Sequence, residues 1–245
     1  MRVWTTAFSA ILLLAASAVG GTSEPLIVSQ RMPLNKEMNG VDGWLQVMTD
    51  ARLSEKLRAK MWGEGDWAFV IPENDALFKV FSAAPPRNAE LQIANLQGQV
   101  LANEVLERPL AKVEQKKLQA GRPTFLVTVD YSTGMGSYAG PATMLLDVVN
   151  ADLHWLEAMN ADTGKREMIR LPKTLKSDWR LSPTGAHQDI LQVLCRPDDF
   201  GGSGAFSVSY VRYHFDEGAG WQMRKRVKKG FWESEDPFPQ AGLFP

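Results

Sequence analysis

The segment DYSTGMGSYAGP, Asp130–Pro141, gathers a carboxylate, three aliphatic hydroxyls, two phenols and three glycines within twelve residues. Three chemistries use loops of this kind, and each demands a particular spacing. A nucleophile elbow needs glycine two residues either side of its serine, so that a strand can turn sharply into a helix. Around Ser137 those positions hold Met135 and Ala139, and around Ser132 they hold Asp130 and Gly134, so neither serine qualifies. A phosphate loop ends in Gly-Lys-Ser/Thr, and this one has no lysine. A dinucleotide fingerprint reads G-x-G-x-x-G, whereas the spacing here is Gly134-x-Gly136-x-x-x-Gly140. Two readings remain. The loop is either a plain connection whose glycines permit positive φ, or a recognition loop. In the second case Tyr131 and Tyr138 present aromatic faces, and Asp130, Ser132, Thr133 and Ser137 present hydrogen-bonding groups suited to a glycan or partner protein.

The remaining titratable groups do not form a recognisable set. His154, His187 and His214 are far apart and show none of the short spacings that present two ligands to one metal. Cys195 follows Leu191, Val193 and Leu194 and reads as a small apolar core residue. Asn160-Ala-Asp162 starts like a calcium loop, but no acid stands at the closing position. No catalytic residue, metal site or cofactor is therefore assigned. The densest charge run is MRKRVKK, with Arg224, Lys225, Arg226, Lys228 and Lys229. In a strand both of its faces would be basic. That suits either a solvated, lysine-defended edge or a docking surface for anionic envelope polymers, lipopolysaccharide or an acidic protein.

The elements that must position these residues follow an amino-terminal segment with the layout of a secretory signal. Arg2, a short apolar stretch and the small residues around Ala16–Gly20 occupy residues 1–21. The apolar run falls short of the ~20 residues a bilayer requires. A periplasmic or secreted product is expected, with no stable membrane insertion after cleavage. The 27 Lys and Arg against 28 Asp and Glu argue against nucleic acid as a partner. With a single cysteine there is no intramolecular disulfide, so the core alone must hold the fold.

Residues 22–245 read as one α+β domain: N-terminal helices, then a mainly antiparallel β-sheet or sandwich. Val41, Trp44, Leu45 and Met48 recur at helical spacing, and Leu57 and Met61 continue the face to Trp62, giving a helical part over 22–66. WAFVIP and ALFKVF follow as a strand pair, opening a β-rich body over 67–230. Pro109, Leu110, Val113 and Leu118, with Gly121 as cap, predict a short helix over 109–120. The stretch 142–159 fits both a helix stripe and two strands turning at Asn150-Ala151-Asp152. The regular hairpin spacing of its neighbours favours strands. Residues 231–245, rich in aromatics and proline, form a tail expected to dock on the body.

The function these observations favour is a soluble exported binding or interaction protein without catalysis, with an inhibitor or an immunity-type protein as subclasses. Its partner would be an envelope protein or glycan. The alternative is an envelope hydrolase with an unfamiliar site, built on Asp130 or an exposed histidine. A structural subunit of an envelope assembly is a third reading.

Overall fold

Chain segments with apolar residues on both faces belong between layers, and two such segments dominate this structure. The computed structural model describes residues 25–51, 53, 87–119, 121–130, 137–184, 187–198 and 204–245. Their strands are β1 (Leu26–Leu34), β2 (Gly43–Asp50), β3 (Glu90–Asn95), β4 (Val100–Val105), β5 (Leu110–Lys116), β6 (Thr124–Asp130), β7 (Ala142–Val149) and β8 (Asp152–Trp155). There follow β9 (Glu157–Asn160), β10 (Arg166–Met168), β11 (Arg170–Pro172), β12 (Ser177–Thr184), β13 (His187–Pro197), β14 (Phe206–Asp216) and β15 (Gly220–Lys229). They form a front sheet β1-β2-β3-β4, a central sheet β11-β7-β6-β5 with β8 alongside β7, and a back sheet β10-β9-β15-β14-β13-β12. Neighbouring strands among the described residues run antiparallel, except for a short parallel contact between β15 and β9.

The central sheet supplies two cores at once. Phe125, Val127 and Val129 of β6, with Met144, Leu146 and Val148 of β7, pack towards Leu45, Val47, Leu91 and Ile93 of the front sheet. The alternate residues Leu126 and Leu145 pack with Ile190, Val211, Tyr213, Trp221 and Met223 of the back sheet. Period-2 alternation of side chains thus serves both layers. Each fully buried Leu or Phe contributes roughly 1.5–3 kcal/mol by leaving water. Where polarity enters this doubly buried sheet it is paired: the hydroxyls of Thr128 and Thr143 lie directly across the strands, 2.8 Å apart.

The expected α+β architecture does not hold. Among the described residues the α-helix content is one turn, Lys36–Asn39. Residues 43–50 are strand β2, not helix. Leu45 and Val47 face the front core while Trp44 and Met48 sit half-exposed on the other face. Apolar residues on both faces of this interior strand imitate helical spacing. The rest of the expected helix, and the strands WAFVIP and ALFKVF, lie outside the described residues. The helix over 109–120 is instead strand β5, ending at Lys116. Ala111 and Val113 join the front core, while Leu118, beyond the strand, joins the back core. Gly121 does take positive φ, but in the link to β6.

The ambiguous stretch 142–159 is strand throughout, apart from its turn and a single break. Its tight turn puts both Asn150 (φ 52°) and Ala151 (φ 64°) in the left-handed region. This turn is pinned by the short helix: Ala151 N–H donates to Asn39 O, and the Asn39 amide donates to Val148 O. Gly40 packs so closely that a Cβ there would stand 2.5 Å from Asn150 Cα. The break falls at Leu156, where the chain leaves the central sheet as β8 and enters the back sheet as β9. Leu156 N–H donates to Leu145 O in the central sheet, and its carbonyl accepts from Ile169 N–H.

One side chain closes an edge that no strand covers among the described residues. β5 ends the central sheet. At the irregularity in β1 between Val28 and Gln30, the Gln30 amide turns towards it, donating to Val113 O at 2.7 Å and accepting from Val113 N–H at 2.7 Å. The amide reproduces the two bonds of a strand partner. Gln30→Ala strips both Val113 groups of their partner, and the expected loss is about 1–3 kcal/mol. Urea denaturation with an unchanged m-value checks it. Gln30→Glu, which keeps an acceptor but loses the donor, should not restore the wild-type midpoint.

Candidate functional site

The Gly-rich segment joins β6 to β7, neighbours paired through Val129 and Ala142. Asp130 closes β6, its backbone paired with Leu110 of β5. Tyr131, Ser132 and Thr133 lie outside the described residues. The return leg, Ser137–Gly140, is described and is stitched to the link between β11 and β12. Ser137 O accepts from Lys176 N–H at 3.2 Å, and Pro141 O accepts from Lys173 N–H at 2.8 Å. A Cβ at Gly140 would stand 2.3 Å from Lys173 O, so only glycine lets the two backbones approach this closely.

This junction opens as a cleft of about 310 Å³. Tyr138, 52% exposed, stands at it, and Thr174 and Ser177 line it with hydroxyls 2.9 Å apart. Four cations line it as well: Arg108, Arg170, Lys176 and Arg196. No acidic side chain is among the described lining residues. Two of the cations are set by carboxylates outside the lining. Arg170 donates to both oxygens of Glu107, at 2.7 and 2.9 Å, a bidentate geometry that fixes the guanidinium plane. That bond holds the Glu107 carboxyl below the usual range and pushes Arg170 up. The Arg170 carbonyl also accepts from the buried Gln192 amide, anchoring the strand to the back sheet. Lys176, its side chain 10% exposed, donates to Glu233 at 2.9 Å and sits 3.6 Å above the Phe231 ring. The start of the carboxy-terminal segment therefore sets the position of a cleft residue.

The basic run behaves differently. Arg226 donates to Gly242 O and Leu243 O, holding the tail against the outer face of the back sheet. There Phe244 stacks on Phe238 and meets Tyr210 edge-on. Lys229 pairs with Asp198, and bonds from Lys229 and Ser207 hold that carboxyl below the usual range. Lys225 and Lys228 are exposed, as is Arg224. Beyond Met223, β15 has no pairing with β9. None of these basic residues lines the Tyr138 cleft, so the two sequence-derived candidates are separate surfaces.

Arg224 instead lines a second cleft of about 500 Å³, with Asp189, Arg212, His214, Asp216 and Gln222. Buried Asp189 lies 2.7 Å from His214 Nδ1 and orients a half-exposed imidazole. Asp216 is occupied by the turn that follows it, accepting from Gly218 and Ala219 N–H. His154 lies 3.9 Å from Asp152. Cys195 is buried with Val193, Val208 and Trp232, an apolar setting. Among the described residues no group of three His, Cys, Asp or Glu side chains could hold a metal ion.

The four cations of the cleft left little trace in the sequence. They come from the β4–β5 link, β11, the β11–β12 link and β13, and no short motif unites them. The one local hint is that Arg108 and Arg196 each precede a proline at a strand boundary.

No model of a known protein family, no curated protein and no solved structure matches the chain.

One buried acid has a measurable consequence. Asp147, on the back-core side of β7, is 3.0 Å from Arg122 Nε. Burial nevertheless raises its carboxyl above the usual range, with Arg122, Gln119 and His154 opposing. A folded-state pKa above the unfolded value means that the stability gained from protonation is full below the unfolded pKa. It is lost as pH rises through the folded one. Asp147→Asn should therefore raise Tm at pH 7, with the advantage shrinking as pH falls towards about 4. Thermal melts of both proteins across that range check it.

Proposed function

We propose that this chain is an exported, soluble binding protein of the cell envelope that acts without catalysis, the inhibitor or immunity type being one form. The basic, aromatic-walled cleft behind the Asp130–Pro141 loop is its capture site. The observation that carries this reading is the pinned return leg. Gly140 and Pro141 are held against residues 173–176, so Tyr138 stands on a fixed backbone beside four cations and two hydroxyls. A preorganised wall of this kind loses little entropy on binding. Residues 1–21 supply the export signal in this reading, and the partner is an envelope protein or glycan.

Tyr131→Ala combined with Tyr138→Ala should abolish capture of the envelope partner in affinity pull-down. Tm should stay nearly unchanged, because Tyr138 is half-exposed. Unaltered capture by the double variant would remove the loop from the function.

The Asp189–His214 pair favours a second reading, an envelope hydrolase. A carboxylate that orients an imidazole towards an open cleft is the geometry of a general base. The described lining residues carry no hydroxyl or thiol, so on this reading water is the nucleophile. On this reading a panel of chromogenic esters and glycosides is turned over, and His214→Gln lowers kcat by about 100-fold or more. Turnover that His214→Gln leaves intact would end it.

A further inference from the structure

The chemistry of the Tyr138 cleft is specific enough to name what it takes, granted that the cleft is the capture site. Four cations and no acid among the described lining residues make it a positive concavity in a chain that is near neutral overall. Field lines focus in such a cleft and raise the local concentration of anions. Three of the cations are arginines, whose planar forks match phosphate oxygens in pairs. Glu107 satisfies part of Arg170, yet a guanidinium has five N–H groups and that pair uses two. Arg196 is exposed, and no ion-pair partner is found for it among the described residues. The volume of about 310 Å³ is small. It excludes a duplex and fits a single small ligand or the head of a larger one.

The other half of the lining is not ionic. Tyr138 offers a half-exposed aromatic ring; Thr174 Oγ1 accepts from Lys176 N–H and bonds to Ser177 Oγ, which leaves the Ser177 hydroxyl the capacity for a further bond to a ligand. Aromatic faces and hydroxyl partners together suit a sugar ring. We infer that the cleft binds a phosphorylated saccharide, the phosphate held by Arg108, Arg170 and Arg196 and the sugar ring against Tyr138.

Isothermal titration of the full chain with glucose 6-phosphate, glucose and inorganic phosphate tests this. Glucose 6-phosphate should bind about ten-fold or more tightly than glucose, and less tightly as salt rises. Arg108→Gln and Arg196→Gln change exposed side chains and should each weaken that binding by about three- to ten-fold, with Tm unchanged. Tyr138→Ala should weaken glucose 6-phosphate while leaving inorganic phosphate as in the wild type. Lys116→Gln, an exposed change at the far end of β5, should change nothing. Two arms separate the sources of the ligand. Competition by lipopolysaccharide that is lost on its dephosphorylation marks an envelope glycan. Binding of glucose 6-phosphate without such competition marks a free sugar phosphate.

Equal affinity for glucose and glucose 6-phosphate, or no binding at millimolar ligand, overturns the inference. So does a double Arg108→Gln, Arg196→Gln variant that binds as the wild type does. If the tyrosine variants lose envelope capture while the wild type ignores sugar phosphates, this inference fails and the binding-protein reading stands. Sugar phosphate binding alongside unaltered capture has the opposite meaning.

Discussion

Burial of the central sheet on both faces is the constraint from which the rest of the structure follows. A sheet with two dry faces has no polar side, so its strands must be apolar at nearly every position. In β7, seven of eight residues are buried. The front and back sheets each turn one apolar face to the central sheet; the outer face of the back sheet carries a smaller apolar cluster of Val193, Cys195 and Val208, which the tail covers with Trp232 and Phe238. The polar groups buried inside the central sheet, Thr124, Thr128, Thr143 and Asp147, fall on its back-core side, away from the front core.

The cleft follows from this layering. Side chains in the middle of the central sheet are committed to packing, so groups available to a ligand must come from strand ends and links. Arg108 precedes β5, Arg170 opens β11, Lys176 precedes β12 and Arg196 lies near the end of β13. They meet where the link after β11 turns into the back sheet and the Gly-rich loop returns to β7. Two of the four charges are balanced by glutamates that do not line the cleft. The arrangement lowers the cost of holding like charges close together while keeping carboxylates away from a ligand.

Local chemistry makes some of these features legible in the sequence: the turn at Asn150-Ala151-Asp152 and the two strands it joins within 142–159. The helix expected over 41–62 failed at β2 because Trp44 and Met48 cover one face of an interior strand while Leu45 and Val47 fill the other. Two apolar faces combined mimic a period of 3.6 residues. The helix over 109–120 failed for a related reason: Pro109 and Gly121 are good helix punctuation, but β5 gains ladder bonds to β6 that no local propensity reveals. Of the site, the sequence pointed to Tyr138 and Ser137 through the composition of their loop. It could not point to the four cations, because their convergence is set by sheet pairing across nearly ninety residues of chain.

The passage at Leu156 divides the molecule mechanically. Its backbone is bonded to Leu145 of the central sheet and to Ile169, the residue at which the chain passes from β10 of the back sheet to β11 of the central sheet, so the two crossings hold each other through main-chain hydrogen bonds. The front sheet is held to the central one by the Gln30 amide, the bonds between Asn39 and the β7–β8 turn, a bond from Trp155 Nε1 to Glu104, and apolar contact. Attachments so few, and mostly through side chains, open at lower free energy than a strand ladder, so the front sheet is the natural unit of partial unfolding. Arg170, Lys176 and Arg196 all lie on the stitched side, while Arg108, whose carbonyl accepts from Ala89 N–H, is tied to the front. Loosening the front layer would thus displace one of the four charges of the cleft and leave its other walls standing.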